Sequence, residues 1–114
     1  MRVISAGRIK EYCDLYPVAR TSLLSFLSVA KEARWTDIVD LRRTYPHADA
    51  VVVKSKRTVT VINIRRNEFR LIIAVRYNTA KVFILRFMTH ATYSRGTWKD
   101  TLWRWRSRNP VTWS

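Results

Sequence analysis

Thr58-Val59-Thr60-Val61-Ile62-Asn63-Ile64, Phe69-Arg70-Leu71-Ile72-Ile73-Ala74-Val75-Arg76-Tyr77 and Val82-Phe83-Ile84-Leu85-Arg86-Phe87-Met88 decide the fold. All three runs are rich in β-branched and aromatic residues, which suit a pleated, half-buried surface. The polar breaks between them, 65–68 and 78–81, are four residues each. That is too short for a crossover helix, so successive runs should pair as antiparallel hairpins. Val51-Val52-Val53, set off by Lys54-Ser55-Lys56-Arg57, reads as one more strand of the same meander.

Upstream of residue 50 the period changes. Ser5 is the expected N-cap of a helix ending near Pro17, because Ile9, Tyr12, Cys13 and Tyr16 recur at three- and four-residue steps. A second helix should run from Val18 or Ala19 to about Ala33, burying Leu23, Leu24, Leu27 and Ala30 with Phe26 beside them. Trp35 closes that segment. Thr36 or Asp37 can cap a short third helix with Ile38, Val39 and Leu41, which must stop before Pro46 because proline disfavours helical geometry in the preceding residue. Helices followed by a meander predict an α+β fold, with N-terminal helices packed on one face of a small antiparallel β-sheet. No linker or repeat interrupts it. The expected organisation is a single domain over 1–97 and a Trp/Arg-rich C-terminal extension over 98–114.

Composition narrows the partners. The 114 residues, 47% of them hydrophobic, suffice for one core, and 22 Lys and Arg against eight Asp and Glu leave a net charge of +14. Residues 1–50 hold only +2 of it, 51–94 hold +8 and 95–114 hold +4. An extended anion is the implied partner, met by the second half of the chain, whose +8 should land on the open face and edges of the sheet. Two Gly and three Pro exclude a disordered basic tail, and the lone Cys13 excludes an internal disulfide and a multi-thiolate metal site. No metal or cofactor is expected. The sequence has no apolar run of about 18 residues and no leader pattern, so a cytoplasmic location without membrane contact is expected.

A period of two puts Arg70, Ile72, Ala74 and Arg76 on one face of their strand and Leu71, Ile73 and Val75 on the other, the core face. Arg86 should share its face with Val82, Ile84 and Met88. Arg70, Arg76 and Arg86 then either converge on an anion or lie over the sheet as solvated side chains; the pattern permits both.

Several segments together carry a family resemblance. They are Val59-Thr60-Val61-Ile62-Asn63-Ile64, Asn67-Glu68-Phe69-Arg70-Leu71-Ile72, Ile84-Leu85-Arg86-Phe87 and Thr89-His90-Ala91-Thr92-Tyr93. With Arg2-Val3-Ile4-Ser5, Ala33-Arg34-Trp35 and Tyr45-Pro46-His47-Ala48-Asp49, they resemble the HigB family of bacterial toxins over about residues 1–93. The resemblance implies a RelE/ParE-type mRNA interferase, a metal-free endoribonuclease that cuts mRNA on the ribosome and is neutralised by a HigA-like helix-turn-helix antitoxin. Arg70 matches the strand arginine of that superfold and would contact the scissile phosphate, where a planar, permanently charged fork suits developing negative charge. His90 is the best acid or base, since histidine ordinarily titrates near neutral pH. Tyr93 would be a base-stacking platform or a second proton donor. Lys54, Lys56, Arg57, Asn63, Arg65, Arg66, Arg76 and Arg86 are the expected RNA contacts.

The chain also departs from that pattern. Asn63 and Val61 stand where relatives carry a lysine pair, so cation would have to come from Lys54, Lys56 or Arg57. The turn usually holding glycine is Arg65-Arg66-Asn67, which leaves Asn67 to take any positive φ. Four of the five tryptophans fall in 98–114, interleaved with arginine. Trp98, Leu102 and Trp105 could pack on the sheet at helical spacing, or the segment could stack on unpaired bases or, last in rank, insert at an anionic membrane interface. The alternative function is a non-catalytic basic RNA-binding module, or a toxin of the same fold that binds a protein target.

Overall fold

The computed structural model describes residues 1–101. In chain order its elements are β1 (Arg2–Ile4), α1 (Gly7–Leu15), α2 (Arg20–Glu32), α3 (Ile38–Thr44), β2 (Asp49–Val52), β3 (Thr58–Ile64), β4 (Phe69–Arg76), β5 (Lys81–Thr89), α4 (His90–Arg95) and α5 (Trp98–Thr101). The sheet order is β1-β5-β4-β3-β2. From β2 to β5 each strand pairs antiparallel with the next, as the short breaks require.

The N-terminus corrects two expectations. Val3-Ile4 forms a strand paired parallel with β5 (Val3 opposite Val82), which makes the five-stranded sheet mixed. Ser5 is no cap: it turns the chain out of β1 at φ 64, and Ala6 occupies the cap position without a side-chain hydrogen bond. Asp37 does cap α3, its Oδ1 accepting from the Asp40 N–H at 2.8 Å. In α2 the buried stripe is Leu23, Phe26 and Ala30, while Leu24, a 100° step from Leu23, is 42% exposed.

The helical layer covers one face of the sheet. Leu23, Phe26, Leu41 and Trp35 pack there with Ile62, Ile64, Leu71, Ile73, Val82 and Ile84. Burying a side chain such as Phe26 contributes on the order of 1.5–3 kcal/mol. The other face was expected to be open and cationic, yet it holds a second apolar cluster of Val59, Val61, Ile72, Ala74, Phe83, Leu85 and Met88, with Trp98 only 5% exposed against it. Packing of Trp98 agrees with one of the readings of the tail; Leu102 and Trp105 lie outside the described residues. Much of the positive charge is thereby displaced to turns and edges of the sheet.

A bulge explains another difference. Ile72 pairs with Arg86 but Ile73 pairs with Ile84, so Leu85 is the extra residue on β5. Residues before and after it change face relative to simple alternation. Val82 and Ile84 therefore enter the helix-covered core, while Arg86 and Met88 align with Ile72 and Arg70. Arg86 does not share a face with Val82 and Ile84.

Candidate active site

Arg70 is the second residue of β4 and is 7% exposed. Its Nη1 donates to the carbonyls of Asn67 (3.1 Å) and Phe69 (3.2 Å), and its Nη2 to Asn67 Oδ1 (2.7 Å). These three bonds use neutral acceptors and occupy three of the five N–H donors of a guanidinium. The described ion pairs are Arg42–Asp49, Arg43–Asp40 and Arg65–Glu68, and none involves Arg70. Among the described residues this nearly buried cation is held by neutral oxygens and leaves Nε–H and one Nη2–H unused, an arrangement able to receive an anion.

α4 is fixed onto the same corner from the end of β5. Thr89 caps it by accepting from the Thr92 N–H, and the His90 N–H donates to the Glu68 carbonyl at 2.9 Å. His90 and Tyr93 stand one helical turn apart and so share a side of α4. His90 is exposed. The Arg70 guanidinium lies 5.4 Å from the centroid of the Tyr93 ring, which also stacks on Trp98 at 5.3 Å. Burial pushes the Tyr93 phenol above its ordinary value; the Asp49 carboxylate adds to the shift and Arg70 opposes it. Gly96, at φ 77, ends α4 and turns the chain back so that Trp98 can donate from Nε1 to the Tyr93 carbonyl at 3.1 Å.

The turn before Arg70 corrects the expectation placed on Asn67. Arg65 and Arg66 take the positive φ values, 51° and 59°. Left-handed backbone costs a non-glycine residue roughly 1–2 kcal/mol. Asn67 instead spends its carbonyl and side chain holding Arg70, so the Asn-x-x-Arg spacing is a tether. Arg65 pairs with Glu68 at 2.6 Å.

The remaining expected contacts divide sharply. Asn63 is the cross-strand partner of Arg70 and is partly buried. Lys54, Lys56 and Arg57 lie before β3, at its other end, about 20 Å away at 3.3 Å per strand residue. Arg76 sits opposite Lys81 at the far end of β4. Arg86 donates to the Leu85 carbonyl at 3.1 Å, where Arg8 also donates at 3.0 Å. Thus Arg70, His90, Tyr93, Asn63, Arg65 and Arg66 gather at one end, and the proposed convergence of Arg70, Arg76 and Arg86 does not occur. The stacking of Trp98 on Tyr93 had a signal in the helical spacing of the tail, but its specific partner did not.

A family model describing the HigB toxin, a RelE-like toxic component of a toxin–antitoxin system, matches residues 19–96. The chain belongs to this family. The match runs from α2 through α4 and so includes Arg70, His90 and Tyr93, while β1, α1 and Trp98 fall outside it. As a HigB-family toxin it has an antitoxin as its partner. Comparison with curated proteins finds no match of significance. No described helix of this HigB-family chain is long and apolar enough to cross a membrane.

Proposed function

We propose that the protein is an endoribonuclease that cleaves mRNA during translation on the ribosome, with Arg70, His90 and Tyr93 as its catalytic residues and a HigA-like helix-turn-helix antitoxin as its inhibitor. The observation that carries this reading is Arg70, a guanidinium 7% exposed, fixed by Asn67 and Phe69 oxygens, with donors to spare at the end of the sheet where the exposed His90 begins α4.

The chemistry follows from these groups. His90 takes the proton of a ribose 2′-hydroxyl, whose oxygen forms a bond to the adjacent phosphorus. The two spare N–H groups of Arg70 hold the non-bridging oxygens as charge grows on the phosphorane, already oriented before the reaction begins. The P–O5′ bond breaks, leaving a 2′,3′-cyclic phosphate, and the 5′-oxygen takes the Tyr93 phenol proton. The phenol carries its proton at neutral pH, and the Arg70 guanidinium 5.4 Å from its ring favours the phenolate that donation leaves. Arg65 and Arg66 flank the entering strand, and the net charge of +14 favours a ribosomal setting rich in phosphate.

Purified toxin added to a translating extract should generate new mRNA 5′ ends. Arg70→Ala should reduce them about 100- to 1000-fold, by loss of the phosphate contact, and His90→Gln at least about 100-fold. Undiminished cleavage in both variants removes the site assignment. One observation favours a second reading, a toxin of this fold that binds a protein target: Val61, at a position of the missing lysine pair, is 2% exposed within the second apolar cluster. Absence of new 5′ ends with the wild-type protein would turn the choice to that reading.

A further inference from the structure

β2 pairs with β3 only as far as Val61, so beyond that point the outer edge of β3 has no neighbouring strand among the described residues. A cleft of about 460 Å³ lies there, lined by Thr21, Ser22 and Ser25 of α2, by Tyr45, and by Asn63, Ile64, Arg65 and Arg66. This volume falls within the usual range for small-molecule sites. Its lining carries three hydroxyls, an amide, a phenol and two guanidiniums, while carbon atoms of these side chains and of Ile64 make up the larger part of its surface.

We infer that this cleft binds one nucleotide of single-stranded RNA next to the scissile phosphate, with its base among Ser22, Ser25 and Tyr45 and its phosphate on Arg66. The inference rests on the reading of the Arg70 corner as an RNA-cleaving site, and it adds a subsite for a neighbouring nucleotide. Continuity supports it, because Asn63 belongs both to the cleft wall and to the cross-strand pair with Arg70. The cleft opens on the helix-covered side of β3 and Arg70 lies on the other, so an RNA strand would round the open edge of β3 at Asn63 to reach both. Chemistry supports it too. Unpaired RNA bases are read through hydrogen bonds to their edges and through stacking on aromatic rings or guanidinium planes, and the cleft offers both. Burial holds the Tyr45 phenol in its neutral, donating form.

The turn supplies the second argument. Arg65 and Arg66 occupy left-handed backbone that glycine or asparagine would take at less cost, and Arg65 is tied to Glu68. Arg66 is exposed and is the cation of this turn left for a phosphate. A peptide strand of the antitoxin pairing with the bare edge of β3 is the competing occupant. It would bind chiefly through backbone hydrogen bonds along β3, which leaves the exposed Arg66 guanidinium and the hydroxyls of Ser22 and Ser25 without a role that a nucleotide's phosphate and base edge would give them.

The test uses a fluorescein-labelled single-stranded RNA hexamer with 2′-O-methyl groups, which cannot be cut, and measures anisotropy with the full-length toxin. Ser25→Ala and Ser22→Ala should each weaken binding about threefold to tenfold, the worth of one or two hydrogen bonds. Arg66→Gly should weaken it about tenfold while raising the melting temperature by roughly 2–4 °C, since the backbone strain is relieved. Opposite signs in the two readouts separate a binding arginine from a merely structural one. In the translating extract, Ser25→Ala should redistribute the mapped 5′ ends among neighbouring nucleotides. Unchanged hexamer affinity and an unchanged end pattern in all three variants, with wild-type cleavage intact, would overturn the subsite and leave the enzyme reading standing. Hexamer binding lost in the three variants, with no cleavage by wild type, would support the subsite and remove the enzyme reading. If the variants lose antitoxin affinity and keep RNA affinity, the cleft belongs to the peptide and the inference is overturned.

Discussion

Two hairpin turns at opposite ends of β3 are alike in composition and in backbone, yet they differ in everything around them. The turn before β3 holds Lys54, Lys56 and Arg57, with Lys56 at φ 66; the turn after it holds Arg65 and Arg66, at φ 51 and 59. The first packs toward α5, where the Lys54 N–H reaches the Lys99 carbonyl at 3.3 Å. The second leads within four residues to a buried guanidinium and meets the first turn of α4 through the His90 N–H. Positive charge thus identifies the class of partner. Chemistry needs more: a cation fixed in place, with unused donors, beside a group able to move a proton.

The sharpest way to break this contrast is to remove charge from the remote turn. Below the losses expected at Arg70, His90 and Arg66 comes the effect of Lys54→Ala with Lys56→Ala. These lysines are exposed and, under the proposed function, would act on RNA only through the general field of the protein. The pair should lower RNA affinity roughly fivefold at low salt and flatten its dependence on salt concentration, with the mapped cleavage positions unchanged. A loss comparable to that of Arg70→Ala would mean that the remote turn, too, reaches the reacting phosphate.

Most of the fold was legible because its signals are local. The β3, β4 and β5 runs and their short breaks dictate the hairpins, and Asp37 and Pro46 bracket α3. What escaped depends on contacts distant in sequence. The three-residue β1 is too short to show a period, and it becomes a strand only by lying beside β5. The bulge at Leu85 lacks the glycine that often marks one, so alternation was carried through it and Arg86 was assigned with Val82 and Ile84. The open basic face failed for a related reason: Ile72 and Ala74 alternate between Arg70 and Arg76 and look like stems beneath charge, but they are buried in an apolar cluster that draws on β3, β5 and Trp98. The candidate residues Arg70, His90 and Tyr93 are named through the family resemblance, and the fold brings them to one end of the sheet. The Asn67 tether and the cleft beside α2 needed coordinates, since the cleft combines α2 with a strand edge some 40 residues later.

Alkaline pH probes the region around Arg70 by another route. Tyr12, Tyr45, Tyr77 and Tyr93 are all pushed above 10.0, in each case chiefly by burial. The folded protein then keeps protons that the unfolded chain has already released once the pH exceeds about 10, so stability must fall as pH rises through that window. Below it the contribution is fully present. Thermal unfolding followed from pH 8 to 11 should show a flat melting temperature up to about pH 9.5, then a decline. Tyr93 and Tyr45 flank Arg70 and the cleft, so fluorescence of the stacked Trp98 should change in the same window. A melting temperature that rises between pH 9.5 and 11 would contradict the direction of these shifts.

The smallest effect gives the cleanest comparison, because it equalises the two turns in stability and leaves them to differ in function. Lys56→Gly relieves the same left-handed strain as Arg66→Gly, so both should raise the melting temperature by roughly 2–4 °C. Their RNA binding should part company with salt. A contribution made through the long-range field fades as the screening length shortens, so the deficit of Lys56→Gly should vanish at about 0.3 M salt. A guanidinium seated on one phosphate at the cleft is screened less, and Arg66→Gly should keep a measurable deficit there. Equal deficits at high salt would show that both turns grip RNA directly. Equal disappearance would reduce Arg66 to a member of the field, leaving Arg70 as the fixed cation at that end of the sheet.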